Sequence, residues 1–223
     1  MKRERRARRA AIATALAAAS LAGCALLGPA PRERSSAVLD EVPAGLPRHE
    51  TRALTLLVAA PQAQPGFDTT AMAYSRHAHE LAYFRDHQWA ATPSQMLLPL
   101  VVRTLEATGY FSAVVTPPYA GCYSYALRTQ LVELVQDFAS EPGVVRLALR
   151  ARLSDGAELA VVSSEIALRE PIAQPAAEAG VAAANAATAK ALRALAQFVL
   201  ESAERLSPTS CAPPATSSSA SRP

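Results

Sequence analysis

Residues 144–156 read VVRLALRARLSDG, where Val145, Leu147, Leu149, Ala151 and Leu153 alternate with Arg146, Ala148, Arg150 and Arg152. A strand points successive side chains to opposite faces, so this period of two buries one face and leaves a basic face in water. A helix cannot satisfy the pattern. The chain must therefore supply further strands to pair the edges and an apolar layer to cover the inner face. Asp155-Gly156 predicts a two-residue type I′ turn, after which AELAVVSSEIAL returns antiparallel. The covering layer lies in Pro175 to Leu206, alanine-rich, with Leu192, Leu195, Val199 and Leu206 on one stripe and Lys190, Arg193, Glu201, Glu204 and Arg205 elsewhere. That is a long amphipathic helix.

The remaining segments extend the same plan. ALTLLVAAP, Ala53 to Pro61, reads as a strand buried on both faces. Met72 to Arg76 and Glu80 to Arg85 flank a polar centre and predict a hairpin. Thr92-Pro93 offers an N-cap with proline at the first helical position, and Leu97, Leu98, Val101, Val102 and Leu105 recur at helical spacing up to Gly109. Pro99 inside that helix predicts a kink or a late start. GYFSAVV is a further strand. ALRTQLVELVQDFA fits a helix through Leu127, Leu131, Leu134, Val135 and Phe138, but its neighbours favour a strand, the assignment taken here. The expected fold is α+β: an antiparallel sheet covered on one face by helices, in a single domain over residues 53–206.

Outside that domain the composition changes. The first nine residues carry six basic side chains against one acid, and Ala10 to Ala22 has neither charge nor proline. Thirteen weakly apolar residues are too few to span a bilayer, so residues 1–23 read as a cleavable signal peptide. Leu21-Ala22-Gly23-Cys24 resembles the bacterial lipobox, which makes Cys24 the acylated first residue of the mature chain. Two or three acyl chains on one cysteine fix a protein to a membrane where one chain would not. Removal of residues 1–23 leaves 16 Lys and Arg against 18 Asp and Glu, so the basic character of the precursor belongs to its export signal and points to no nucleic acid. Residues 24–52, with four prolines after the cysteine and no apolar period, read as a flexible tether. Residues 207–223, rich in Ser, Thr, Ala and Pro, read as a disordered tail. Cys122 and Cys211 form an even pair that an oxidising compartment permits to join, although spacing alone does not place them within reach.

Few residues suggest chemistry. His77, His79 and His87, with Glu80 and Asp86, are the one cluster that could bind a metal, as a periplasmic ligand- or metal-binding lipoprotein would require; a solvated hairpin tip explains the same residues. Ser75, Ser94 and Ser124 lack any nucleophile elbow, and nine glycines spread singly make no phosphate loop. No catalytic residue, resident metal or cofactor is expected. The Arg146, Arg150 and Arg152 stripe fits a solvated strand face or a contact with anions. Tyr74, Tyr83, Phe84 and Trp89 fit either a partner interface or ordinary packing.

Ala73 to Val114 resembles the ABC-type transport auxiliary lipoprotein family, which includes the small lipoprotein of the paraquat-inducible system. The likeness runs through the tyrosine-bearing strand, the pair Tyr83-Phe84, Trp89-Ala90 before a proline, the helix of Leu97, Leu98 and Leu105, and Gly109-Tyr110-Phe111. LVELVQDF, the alternating strand and the alanine-rich helix extend it over most of Ala53 to Leu206. The resemblance implies a non-catalytic envelope lipoprotein. Its implied partners are an ATP-binding cassette ATPase, a permease and an MCE-domain protein that move phospholipid or other hydrophobic cargo. It also implies a domain capable of self-association into a homo-oligomer. Ala25 stands where an inner-membrane-retained enterobacterial lipoprotein has aspartate, which favours the outer membrane.

Overall fold

In the computed structural model, residues 35–211 are described. Nine strands make one sheet: β1 (Ser35–Ala37), β2 (Arg52–Val58), β3 (Gln62–Ala63), β4 (Ala71–Ser75), β5 (Ala82–Trp89), β6 (Phe111–Val115), β7 (Tyr125–Asp137), β8 (Val144–Asp155) and β9 (Val161–Pro171). Helices α1 (Pro93–Ala107) and α2 (Ala177–Arg205) pack on it, so the fold is α+β as expected. β7 is the axis. Along one edge β8 runs antiparallel for its whole length, and β9 runs antiparallel beyond β8. Along the other edge three strands dock in succession, all parallel: Leu56 of β2 opposite Tyr125, Gln62 of β3 opposite Gln130, and Tyr74 of β4 opposite Gln136. β6 extends β2, while β5 and then β1 extend β4.

The segment that fits both periods, β7, is a strand with a bulge. Its pairing with β8 shifts between Leu131 and Glu133, so Leu131 faces Leu149 and Leu134, three residues on, faces Leu147. A bulge adds one residue to the alternation, which produces the helix-like spacing. Leu127, Leu131, Leu147, Leu149 and Leu153 on the sheet meet Leu192, Leu195 and Val199 of α2, all at 2% exposure or less. Each such side chain contributes on the order of 1.5–3 kcal/mol. The small residues Ala183, Ala184, Ala187 and Ala191 on the same face let the helix axis lie close to the sheet.

Pro99 neither delays nor ends α1. The helix starts at Pro93 under a capping box, in which Thr92 Oγ1 accepts from Gln95 N and Gln95 Oε1 accepts from Thr92 N. Pro99 and Gln95 both lie exposed, so the carbonyl left without a donor meets water. Gly109, at φ +67°, closes the helix as a left-handed residue following its cap.

The Asp155-Gly156 turn is longer than expected. β8 and β9 are joined through residues 156–160, with Asp155 Oδ1 accepting from Leu159 N and Ala160 N at 2.8 and 3.2 Å, and Glu158, not Gly156, taking positive φ. Gly156 serves packing instead. Its N–H donates to Ser124 O at 2.9 Å, and a Cβ there would overlap the Tyr123 carbonyl oxygen.

Two segments read as flexible are docked. Within residues 35–52, β1 pairs with β5 and Leu39 is buried in the core at 4% exposure. Ser207 to Cys211 lies on the domain, where Thr209 N donates to Ser124 O and Thr209 Oγ1 accepts from Ala157 N. The flexible reading of residues 24–52 therefore fails from Ser35 onward, and that of residues 207–223 fails as far as Cys211. The signal peptide, Cys24 and residues 212–223 lie outside the described residues.

Candidate functional site

The candidate site is the surface where the chain arriving from Cys24 meets the domain. Residues 35–49 form a strap across both helices. β1 lies on β5, Ala90 N donates to Ala37 O at 2.8 Å, Leu39 N donates to the Met96 sulfur, and His49 N closes the strap on Thr108 O at 2.9 Å. Its central clasp is Asn185, 7% exposed on α2. The Asn185 Oδ1 accepts from Asp40 N and Glu41 N at 2.9 and 3.3 Å, while Nδ2 donates to Val38 O at 3.0 Å and to Val181 O at 3.3 Å. One side chain thus satisfies three backbone groups of a strand-less segment. Four prolines and the absence of an apolar period hid this strap, because it is held by backbone polar groups and a single buried leucine.

Removing that amide leaves three part-buried N–H and C=O groups without their protein partner, each costing on the order of 1 kcal/mol. Asn185→Ala is expected to lower the unfolding free energy by about 2–4 kcal/mol. It should also open trypsin cleavage at Arg48, as measured by urea unfolding and limited proteolysis of the same preparation.

The aromatic hairpin is partly an interface candidate and partly core. Trp89 is 3% exposed and packs into the core, which corrects its inclusion as a partner contact; its apolar area is spent inside. Tyr74 and Phe84 meet at 4.6 Å between ring centroids, with the Arg76 guanidinium 5.5 Å from the Tyr74 ring and His87 edge-on to Phe84. Tyr83 is 43% exposed beside exposed Leu81, and its hydroxyl donates to Gly66 O at 3.0 Å. These three rings, without Trp89, remain accessible from outside.

The histidines separate. His77 and His79 sit in the β4–β5 loop, whereas His87 lies on β5 with its Nδ1 3.7 Å from Glu178 of α2. Among the described residues no group of three or more His, Cys, Asp or Glu side chains is arranged to hold a metal. The three histidines read as a metal candidate are thus not brought together. The physical reason is the hairpin register, which places His87 beyond the loop that carries the other two.

The serines serve local structure: Ser75 Oγ donates to His77 O, Ser94 Oγ meets the Thr92 hydroxyl at the helix cap, and Ser124 Oγ accepts from Thr55 N. Of the arginine stripe, Arg146 pairs with Glu133 at 2.8 Å and Asp137 at 3.5 Å and Arg150 with Glu165 at 3.1 Å, while Arg152 is exposed with no ion-pair partner among the described residues; Arg128, outside the stripe, pairs with Glu158 of the β8–β9 loop. At the opposite end of the sheet Cys122 and Cys211 stand 5.5 Å apart at Cα and are joined as a disulfide, which fastens the end of the α2 extension to the loop before β7. Nearby, Tyr125 donates to Ala203 O and Leu206 O. Burial raises the phenol pKa of both Tyr110 and Tyr125, the neighbouring Arg52 opposing it.

The model of the ABC-type transport auxiliary lipoprotein component matches residues 38–196. The chain belongs to that family. For an auxiliary lipoprotein of this kind, the matched span takes in most of the strap, the eight strands β2 to β9, α1 and the larger part of α2. A Xanthomonas campestris protein described under DUF330 is similar over 77% of this chain and 96% of its own, at 22% identity and a TM-score of 0.66. A second solved structure, of an uncharacterized protein, covers 75% of this auxiliary lipoprotein and 99% of its own chain at 14% identity and a TM-score of 0.60. These two likenesses concern the fold. No curated protein matches the chain.

Proposed function

We propose that this protein is a non-catalytic adaptor of an ABC-type transport system, acylated at Cys24, held at the outer membrane and facing the periplasm. Its partners are an ATPase, a permease and an MCE-domain protein that together carry phospholipid or another hydrophobic cargo across the envelope. The observation that carries this reading is the family match beginning at residue 38, only fourteen positions beyond a lipobox cysteine.

The strap adds a geometric consequence. If the whole of residues 24–52 were free, the domain could wander about 100 Å from its anchor at roughly 3.5 Å per residue. With Ser35 already paired to His87, only the eleven residues from Cys24 to Arg34 remain, a reach of at most about 40 Å. The domain is thereby kept near the membrane that holds its acyl chains, and any link to an inner-membrane permease must be built by the partners. Tyr83, with Tyr74 and Phe84 behind it, is the part of the hairpin offered to them.

Affinity purification of the full chain from detergent-solubilised envelopes tests the adaptor role. Co-recovery of the MCE-domain protein with the permease and ATPase is expected; a preparation that holds none of the three refutes it.

A further inference from the structure

The strap and α2 enclose a groove of about 370 Å³ that neither the anchor nor the aromatic hairpin uses. Leu46 and Pro47 form one wall and Leu200 the other, so the trough is apolar. Its volume lies within the range of small-molecule sites. Its charges are unevenly committed. Arg193, the one Arg or Lys in a lining that also includes His49, donates to the carbonyls of Ala44 and Gly45 and so closes the strap. Glu201 and Glu204 line the same groove near the C-terminal end of α2. Among the described residues neither has a cationic side chain within ion-pair distance, and Glu201 is met only by Gln197 Nε2 at 2.9 Å. A helix C-terminus carries partial negative charge of its own. Two exposed carboxylates at that end make the mouth of the groove negative, and a cation placed there complements it.

We propose that this groove binds a single-chain amphiphile with an ammonium head, its hydrocarbon chain along Leu46, Pro47 and Leu200 and its head against Glu201 and Glu204. An anionic head would meet two like charges where the chain is best covered, and a bare cation would leave the apolar walls wet. Both halves of the site are needed to account for the lining. The site calls for no transport partner, so its failure would leave the adaptor role standing.

The experiment uses the full chain carrying Cys24→Ala, purified without detergent, with decyltrimethylammonium as probe below its micelle concentration and calorimetry as readout. Saturable binding at one site is expected, at least tenfold tighter than that of decyl sulfate, which has the same chain length. Glu201→Gln with Glu204→Gln, both surface changes, should weaken binding at least tenfold with an unaltered melting temperature. Leu200→Asp should weaken it as much. Equal binding of the two decyl probes, no saturable binding, or an unaffected double glutamine variant each overturns the proposal.

Discussion

Cys24→Ala is expected to abolish stable membrane attachment. In the native protein the tryptic peptide from Cys24 to Arg32 should carry the mass of its acyl chains, whereas the variant should yield either an uncut precursor or a chain in the soluble fraction. The size of the effect follows from hydrocarbon burial at about 0.8 kcal/mol per methylene. One chain gives only reversible binding, with an association constant on the order of 10⁴ M⁻¹, and a second on the same sulfur makes release negligible. No described helix is long and apolar enough to cross a membrane. Mass spectrometry of the native N-terminus decides the matter. An unmodified thiol there would remove both the anchor and the tether argument built on it.

Gly180→Ala should destabilise the domain by about 2–4 kcal/mol, although alanine favours a helix by about 1 kcal/mol over glycine. Gly180 sits in the first turns of α2, and a Cβ there would overlap the side-chain amide of Gln136 on β7. That amide is buried at 3% exposure, with Nε2 donating to Ala177 O at 3.3 Å and touching the Met72 sulfur. Alanine would therefore overpack a closed contact, typically a loss of 1–3 kcal/mol, and displace a buried donor as well. The companion measurement is a double-mutant cycle with Gln136→Ala, whose smaller side chain makes room for the new methyl. The two substitutions should be less damaging together than their sum by more than about 1 kcal/mol. A Gly180→Ala protein as stable as the parent in urea would show that the helix shifts to absorb the methyl group.

The strand at residues 144–155 was readable because its burial is local to its own alternation, and α2 because its apolar stripe repeats every turn. β7 was readable only in part. Its bulge near Val132 moves the next inward leucine from two residues to three, and an i, i+3 interval is also a helical one, so its neighbours had to decide. The strap was illegible for a different reason. Asn185 lies 147 positions from Val38, and an asparagine inside an alanine-rich helix carries no sign of the backbone it will hold. Trp89 was ambiguous in the same way, since an aromatic residue contributes equally to a core and to an interface until its neighbours are placed.

The amino-acid sequence by itself determined the α+β class and the family likeness, and it carries the lipobox-like Leu21 to Cys24 on which the proposed anchor rests; all three are matters of local periodicity or contiguous motifs. Only the tertiary structure decided that residues 35–49 belong to the domain, that Gly156 and Gly180 are glycines because other chain segments approach them, and that the three histidines do not converge. Each of those facts depends on groups far apart in the chain meeting in space, and no periodicity of two or 3.6 records such a meeting.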